Sequence, residues 1–402
     1  MSSTSVRRLL WVRGLRAFGD GYVSLLLPVY LISLGLTPFQ VGIIATGTLL
    51  GSGVLTLLVG LHAYRFRYRA LLLVAAALMT ATGLGFATIT AFWPLLVVAV
   101  AGTLNPSSGD VSVFLPLEHS VLARVVDDRQ RTAVFARYSL VGALVGALGA
   151  LISGLPEILS TALRVSIQTA YQSMFLLYAA LGVASALIYR KLPARIAAEA
   201  EAPAAPLHDS KRIVYTLAAL FSLDAFGGGF IVQSLLALWL FQKYQLSMAV
   251  AGTLFFWTGV LSAFSYLIAT RIAQRIGLVN TMVFTHLPSS VLLLLVPFAP
   301  SFAWAVVLLL ARSALSQMDV PTRSSYVMAV VAPNERAAAA SITSVPRSLA
   351  SAVSPLVAGY LLGLSSFGWP LIIAGGVKIA YDLMLLATFR RVRPPEEVAL
   401  RL

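Results

Sequence analysis

Six acidic side chains fall inside stretches apolar enough to lie in hydrocarbon: Asp20, Asp110, Glu118, Asp224, Asp319 and Asp382. A charge at the centre of a membrane span costs about 2.5–3.5 kcal/mol on insertion scales, so each needs a partner, water or a proton. A carboxylate kept in such surroundings is suited above all to reversible proton binding. Three of the six have a basic residue four positions away: Arg16 with Asp20, Asp319 with Arg323, and Lys378 with Asp382. That spacing sets both groups on one helix face, where an ion pair lets the helix insert without any further role. Asp110 and Asp224 have no basic residue three or four positions away. They must find a partner on another helix, face water or be protonated. Arg137, Arg312 and Arg347 are further cations in apolar surroundings. They are placed to complete the acid network or to contact an anionic substrate group.

The stretch "NPSSGD", Asn105 to Asp110, sits between two apolar runs. Pro106 removes a backbone hydrogen bond and is expected to kink the helix. Gly109 and the two serines permit close approach and re-satisfy freed carbonyls. Asn105 and Asp110 would then face a watery cavity. The stretch "SQMDVPTRSS" (316–325) is a comparable interruption. The plainer alternative is a kink that only shapes packing.

These charges need elements that hold them. Of 402 residues, 59% are hydrophobic and 11% charged, with a mean hydropathy of +0.88. A soluble chain of this length would carry far more charge. Runs such as 71–93 and 281–299 are long enough to cross a hydrocarbon core of roughly 30 Å. The pattern predicts an all-α polytopic membrane protein with twelve transmembrane helices. They fall at 14–35, 40–62, 70–92, 94–121, 133–155, 170–189, 213–241, 247–270, 279–299, 302–330, 337–364 and 368–389. A β-barrel would show short alternating segments instead. Trp239, Tyr244 and Trp369 near span ends read as an aromatic belt.

The net charge of +14 follows from topology and does not imply nucleic-acid binding. With the N-terminus inside, most of the 29 basic residues fall in cytoplasmic segments, and only Arg164 and Lys243 fall in external loops. This positive-inside bias places both termini in the cytoplasm of a cell (inner or plasma) membrane. The Ala/Pro/Glu-rich segment 191–212 reads as a cytoplasmic linker between an N-terminal six-helix bundle (1–190) and a C-terminal one (213–402). The halves echo each other. "RAFGDGYVS" (16–24) parallels "DAFGGGFIV" (224–232), Asp110-Val111 parallels Asp319-Val320, and "VVDDRQRTA" (125–133) parallels "VVAPNERAA" (330–338). Such repeats predict two bundles related by pseudo-symmetry.

On these features the chain resembles the major facilitator superfamily over essentially its whole length. The loop "GLHAYRFRYRALLL" (60–73) is similar to that family's G-x-x-x-D-R-x-G-R-R loop. Gly60, Arg65 and Arg69 match, while Tyr64 replaces the acid and Arg67 the second glycine. "AQRIG" (273–277) is a second partial copy, with Gln274 where an acid is common. Span 11 holds "ASAVSPLVAG" (350–359), similar to the family's antiporter motif, with Pro355 and Gly359 matching. The family's diagnostic copy lies in span 5, where this chain has "GALVGALGAL" without the proline. The resemblance implies that spans 1, 4, 7 and 10, which carry Asp20, Asp110, Glu118, Asp224 and Asp319, line a central cavity. It also implies that span 12 is peripheral, which makes Lys378 and Asp382 a structural pair.

The function this implies is secondary active transport by alternating access, as proton-coupled efflux of a small organic or drug-like molecule. One alternative is uptake or uniport of a metabolite by the same fold. Another is a receptor or assembly factor that does not transport. The expected partners are the bilayer, a small-molecule substrate and a proton, with a monomeric protein and no nucleic acid. The sequence has no H-E-x-x-H, G-x-S-x-G or P-loop pattern, and no enzyme activity, cofactor or metal is expected. The absence of cysteine excludes thiolate metal sites.

The topology can be tested with single cysteines at Ser3, Ala202 and Ser366, because the native chain has none. Only the cysteine at 366 should react with an impermeant thiol reagent applied outside intact cells. External labelling at 202 would overturn the assignment.

Overall fold

The computed structural model describes residues 2–62, 66–107, 112–126, 128–193, 207–208, 210–332, 335–390 and 392. Among them the regular structure is helical. In chain order the helices are α1 (Ser2–Ser33), α2 (Pro38–His62), α3 (Tyr68–Thr88), α4 (Phe92–Ala101), α5 (Phe114–Val125), α6 (Asp128–Leu151), α7 (Leu155–Leu163) and α8 (Ile167–Tyr189). There follow α9 (Lys211–Gly229), α10 (Gln233–Tyr244), α11 (Met248–Ile276), α12 (Leu278–Leu295), α13 (Phe302–Leu315), α14 (Asp319–Val330), α15 (Arg336–Leu364) and α16 (Trp369–Phe389).

Eleven helical segments are long and apolar enough to cross a membrane. The remaining span, the fourth, is divided between α4 and α5. Most boundaries follow the hydropathy pattern, as at Phe302–Val330 and Trp369–Phe389. Span 5 runs further than the apolar pattern implies, through a 3-10 turn at Ile152–Gly154 into α7. Parts of the 191–212 linker, together with Arg65, Ser108, Gly109 and Asp110, lie outside the described residues.

Three spans are broken rather than continuous. In span 4 the expected kink is a full interruption: α4 ends at Ala101, and Pro106 sits in a turn outside any helix. Asn105 Oδ1 accepts from Ser107 N at 3.0 Å and Ser107 Oγ at 2.7 Å, which closes a local turn. The Pro106 carbonyl accepts from Ser234 N at 3.0 Å, so a group freed by the break is satisfied as a membrane interior demands. Span 10 breaks at 316–318 between α13 and α14, and Tyr266 donates to Gln317 Oε1 there at 3.1 Å. Span 7 breaks at 230–232, after Gly227, Gly228 and Gly229, a break the apolar pattern does not announce. Both α5 and α14 carry a proline in their first turn, Pro116 and Pro321, where its missing N–H costs nothing.

Two compact units are present, one of Met1–Ala200 with Val232–Trp257, the other of Glu201–Ile231 with Thr258–Leu402. In the first, α1 packs on α6 and α8, and α3 packs on α8. Tyr30 donates to the Phe86 carbonyl at 2.8 Å, and Phe86 stacks on Phe175. In the second, α9 packs on α15 and α16, and α12 packs on α16. The buried Glu335 carboxylate accepts from His208 N at 2.7 Å and Ser210 N at 3.0 Å, holding the start of α9.

The repeat seen in sequence has a packing counterpart. A Cβ on Gly21 of α1 would lie 2.1 Å from the Gly146 carbonyl of α6. A Cβ on Gly229, its counterpart in the second copy, would lie 2.3 Å from the Ser351 carbonyl of α15. In both halves glycine is needed so that two backbones can touch. Beside Gly229, Ser354 donates to the Phe226 carbonyl at 2.6 Å. The small residues of the span 11 motif therefore serve the α9–α15 contact, with Pro355 and Gly359 buried in α15.

Gly21→Ala and Gly229→Ala should each destabilise the purified protein by about 1–3 kcal/mol, the usual cost of overpacking. Gly53→Ala, where nothing lies within 4 Å of the added carbon, should leave the melting temperature unchanged or slightly raised. Thermal unfolding followed by intrinsic fluorescence measures all three.

Candidate functional site

Among the described residues, most acids of the spans gather with their cations into two buried clusters, one in each unit. In the first, Arg16 reaches from α1 to form an ion pair with Glu118 of α5, both almost fully buried. Tyr138 of α6 donates to the same Glu118 carboxylate, and Tyr189 of α8 donates to Glu118 Oε1 at 2.5 Å. Arg16 also contacts Tyr138 Oη at 3.2 Å and Ser112 Oγ at 3.5 Å, and its guanidinium lies over the Phe114 ring at 4.2 Å. Arg13 lies over the Tyr138 ring at 5.1 Å. Glu118 thus receives charge-assisted bonds from three helices, the arrangement a buried carboxylate requires.

Asp20 stands one turn further along α1, where Tyr178 Oη approaches its Oδ1 at 3.5 Å and the Thr103 carbonyl at 3.3 Å. The sequence pairs Arg16 with Asp20. The structure corrects this to an Arg16–Glu118 pair across helices. Spacing names the partner on the same helix, but Arg16 is long enough to reach a neighbour.

The second cluster centres on Asp224 of α9. Lys378 of α16 donates to Asp224 Oδ1 at 2.6 Å, and Arg323 of α14 donates to Oδ2 at 2.9 Å. His286 Nε2 of α12 stands 3.6 Å from Oδ1. Arg323 also binds Asp319, four residues earlier on its own helix. The other ring nitrogen of His286, Nδ1, meets both oxygens of Asp382 at 2.9 and 3.0 Å. Tyr381 lies edge-on to the His286 ring, and Arg323 covers Phe221 at 5.0 Å. Asp224, Asp319, Asp382, His286, Arg323 and Lys378 are all buried.

Asp224, without a partner on its own helix, therefore finds three on other helices. Asp319 and Arg323 pair as their spacing predicts. Lys378 and Asp382 do not form the expected intrahelical pair: Lys378 crosses to Asp224 and Asp382 takes His286. Span 12 thus contributes to the cluster through both residues.

Arg312 on α13 and Arg347 on α15 border this cluster and interact electrostatically with Asp224. The Arg347 side chain is exposed, and Arg312 Nε is buried without a hydrogen-bond partner among the described residues. Arg137 is exposed on α6, outside both clusters. Arg69 donates to the Leu192 carbonyl at 3.3 Å, tying the start of α3 to the end of span 6, and Gly60 lies near the end of α2. Trp239 is fully buried and meets the Tyr244 ring edge-on at 5.9 Å, so it is no belt residue, whereas Trp369 is 46% exposed.

Sequence reading misses His286, Tyr138, Tyr178 and Tyr189. A histidine in the middle of "TMVFTHLPSS" was the available signal. Asp224, His286 and Asp319 bring ligand atoms within 4.8 Å of one another, a spacing that suits a metal ion. Lys378 and Arg323 already hold the Asp224 oxygens, and two fixed cations there oppose a divalent one.

A family model described as Major Facilitator Superfamily matches residues 9–226 and again 217–401. The chain is 25% identical over 418 residues to the uncharacterized membrane protein YJR124C of Saccharomyces cerevisiae, covering 95% of this chain and 93% of that one. Among solved structures it resembles a mutant form of the nucleoside transporter NupG, with a TM-score of 0.77, 14% identity and coverage of 96% of this chain and 100% of that one. It also resembles the inward-open xylose transporter XylE from E. coli, with a TM-score of 0.70, 14% identity and coverage of 98% and 99%. A third is the human organic anion transporter MFSD10, with a TM-score of 0.65, 18% identity and coverage of 94% and 99%. At these identities the likeness to solved structures is one of fold.

Glu118→Gln leaves Arg16 buried without its counter-charge and should cost about 3–5 kcal/mol, enough to abolish folded protein. Replacing both partners, Arg16→Met with Glu118→Leu, should recover part of that loss. Arg137→Gln should be neutral. Yield of monodisperse protein and its melting temperature read all three.

Proposed function

The chain belongs to the major facilitator superfamily, and on that premise we propose that it is a proton-coupled secondary transporter. Working by alternating access, it exports a small organic molecule across the cell membrane, with both termini cytoplasmic. One observation carries the coupling. Each cation that binds Asp224 through a direct hydrogen bond has a second acid one turn away on its own helix. Arg323 has Asp319, and Lys378 has Asp382. Once Asp224 is neutralised, the links from α14 and α16 to α9 can therefore give way to pairs within α14 and within α16, with no cation left unpaired.

A network with two nearly equivalent pairings is a two-state element that a proton can bias. Neutralising the Asp224 charge removes the reason for Arg323 and Lys378 to reach across. It frees α9, which ends at a break in span 7, from α14, which begins at a break in span 10. Asp110, on span 4, is a second candidate for proton binding. The antiporter-like motif around Pro355 and Gly359 favours export. The opposite direction, or uniport, needs the same fold and would differ in its gradient dependence.

A thermal-shift screen of metabolites, drug-like compounds and oxyanions identifies a ligand for flux measurements. In proteoliposomes the wild type should accumulate that compound only under an imposed proton gradient. Asp224→Asn should fall to the gradient-free level while still exchanging compound across the membrane. Wild-type transport indifferent to the gradient would favour uniport, and ligand binding without any flux would favour a receptor.

A further inference from the structure

We propose that His286 is a proton-binding site of this transporter, and that its proton decides whether Lys378 holds Asp224 or Asp382. The inference rests on the proton-coupled reading above and adds to Asp224 a second proton-binding side chain, on span 9. The geometry of the ring is the starting point. Both nitrogens face carboxylate oxygens: Nδ1 meets Asp382 at 2.9 and 3.0 Å, and Nε2 stands 3.6 Å from Asp224 Oδ1. Ionised carboxylates only accept. A neutral imidazole has one N–H, so it can satisfy one side and must turn a lone pair toward the other anion. The imidazolium donates to both. Nδ1 is within hydrogen-bond distance of Asp382 and Nε2 is in ion-pair range of Asp224, an arrangement that a second proton on the ring would complete.

The direct partners of Asp224, Asp319 and Asp382 are Arg323, Lys378 and His286, with Arg312 and Arg347 at the border of the cluster. The groups around the ring come from every neighbouring element: Asp224 on α9, Arg312 on α13, Asp319 and Arg323 on α14, Arg347 on α15, and Lys378, Tyr381 and Asp382 on α16. When the proton leaves, Asp382, which is fully buried, keeps only a neutral donor. Lys378 is the cation that can repair this. It lies one helical turn from Asp382 and now sits on Asp224 Oδ1 at 2.6 Å. Moving to Asp382 restores the local pair and leaves Asp224 to Arg323, which weakens the α9–α16 link. The i,i+4 pair that spacing suggests is then the deprotonated partner of the arrangement observed. Histidine suits the task because its ordinary titration lies between pH 5 and 8.

The test needs no substrate. Protein labelled with 15N-histidine in lipid nanodiscs carries four histidines, and His286→Gln identifies which ring signal belongs to position 286. That ring should be doubly protonated at acid pH and lose a proton as the pH is raised. Asp382→Asn should move its midpoint to lower pH by about one unit or more, and Lys378→Met should move it to higher pH. A ring that keeps one protonation state throughout overturns the proposal in the wild type alone, whatever the variants do. An unmoved midpoint in whichever of the two variants folds also overturns it. In the proteoliposome assay, His286→Gln should lose gradient-driven accumulation. If it keeps accumulation while the wild type is gradient-driven, only the His286 assignment fails. If the wild type itself ignores the gradient, the proton-coupled reading fails, and the ring titration still decides whether the site binds a proton.

Discussion

An ion inside a bilayer must be neutralised within the protein, because no water is at hand to do it. This constraint organises both units. Arg16 can enter the membrane only because Glu118 and the hydroxyls of Tyr138 and Tyr189 meet it or its partner. Asp224 can do so only because α14 and α16 each send it a cation. The contacts that solve the insertion problem are also those that tie helices to one another. A cross-helix ion pair is strong in low dielectric and is lost almost whole when either charge is removed. Helix positions in these units are therefore set partly by where charges meet, in addition to apolar packing.

The two clusters are related by the internal repeat, and the relation is an inversion. Arg16 opens "RAFGDGYVS" and Asp224 opens "DAFGGGFIV". At equivalent places one copy carries the cation and the other the anion, and each reaches the second segment of a broken span, α5 or α14. The glycine five residues on, Gly21 or Gly229, keeps its role as a backbone contact in both. The two copies thus share the packing and the need for a charge pair, with the signs exchanged. A pair tolerates that exchange because its energy depends on the product of the charges.

The spans were legible in the sequence because hydropathy over some twenty residues is a property of the segment itself. The same holds for Asp319 with Arg323, whose spacing alone brings them together. What could not be read were partners chosen across helices. Nothing in spacing says that Lys378 prefers Asp224 to Asp382, or that Arg16 prefers Glu118 to Asp20, since both choices suit a long side chain. The Pro106 interruption was visible, but its form as a full break depends on Ser234 supplying a donor from α10. Trp239 was misplaced for a similar reason: a tryptophan near a span end is belt or core according to which neighbour covers it. Glu335 is a loop acid in sequence and becomes a helix cap only once α9 lies beside it.

The two clusters also differ in what they can do. Glu118 is held by an arginine and two tyrosines, none of which changes charge readily near neutral pH. It joins α1 to α5, with His119 edge-on to Tyr138 at 5.1 Å. The Asp224 cluster contains a histidine, a lysine with an acid on either side, and an arginine shared between two acids. Each of its cations can be satisfied in more than one way. Stability asks for a single best pairing, whereas movement asks for several of similar energy separated by small side-chain rotations. On the proposed mechanism the second unit holds the changeable charge pair, at a position the repeat makes equivalent to the Arg16–Glu118 pair of the first.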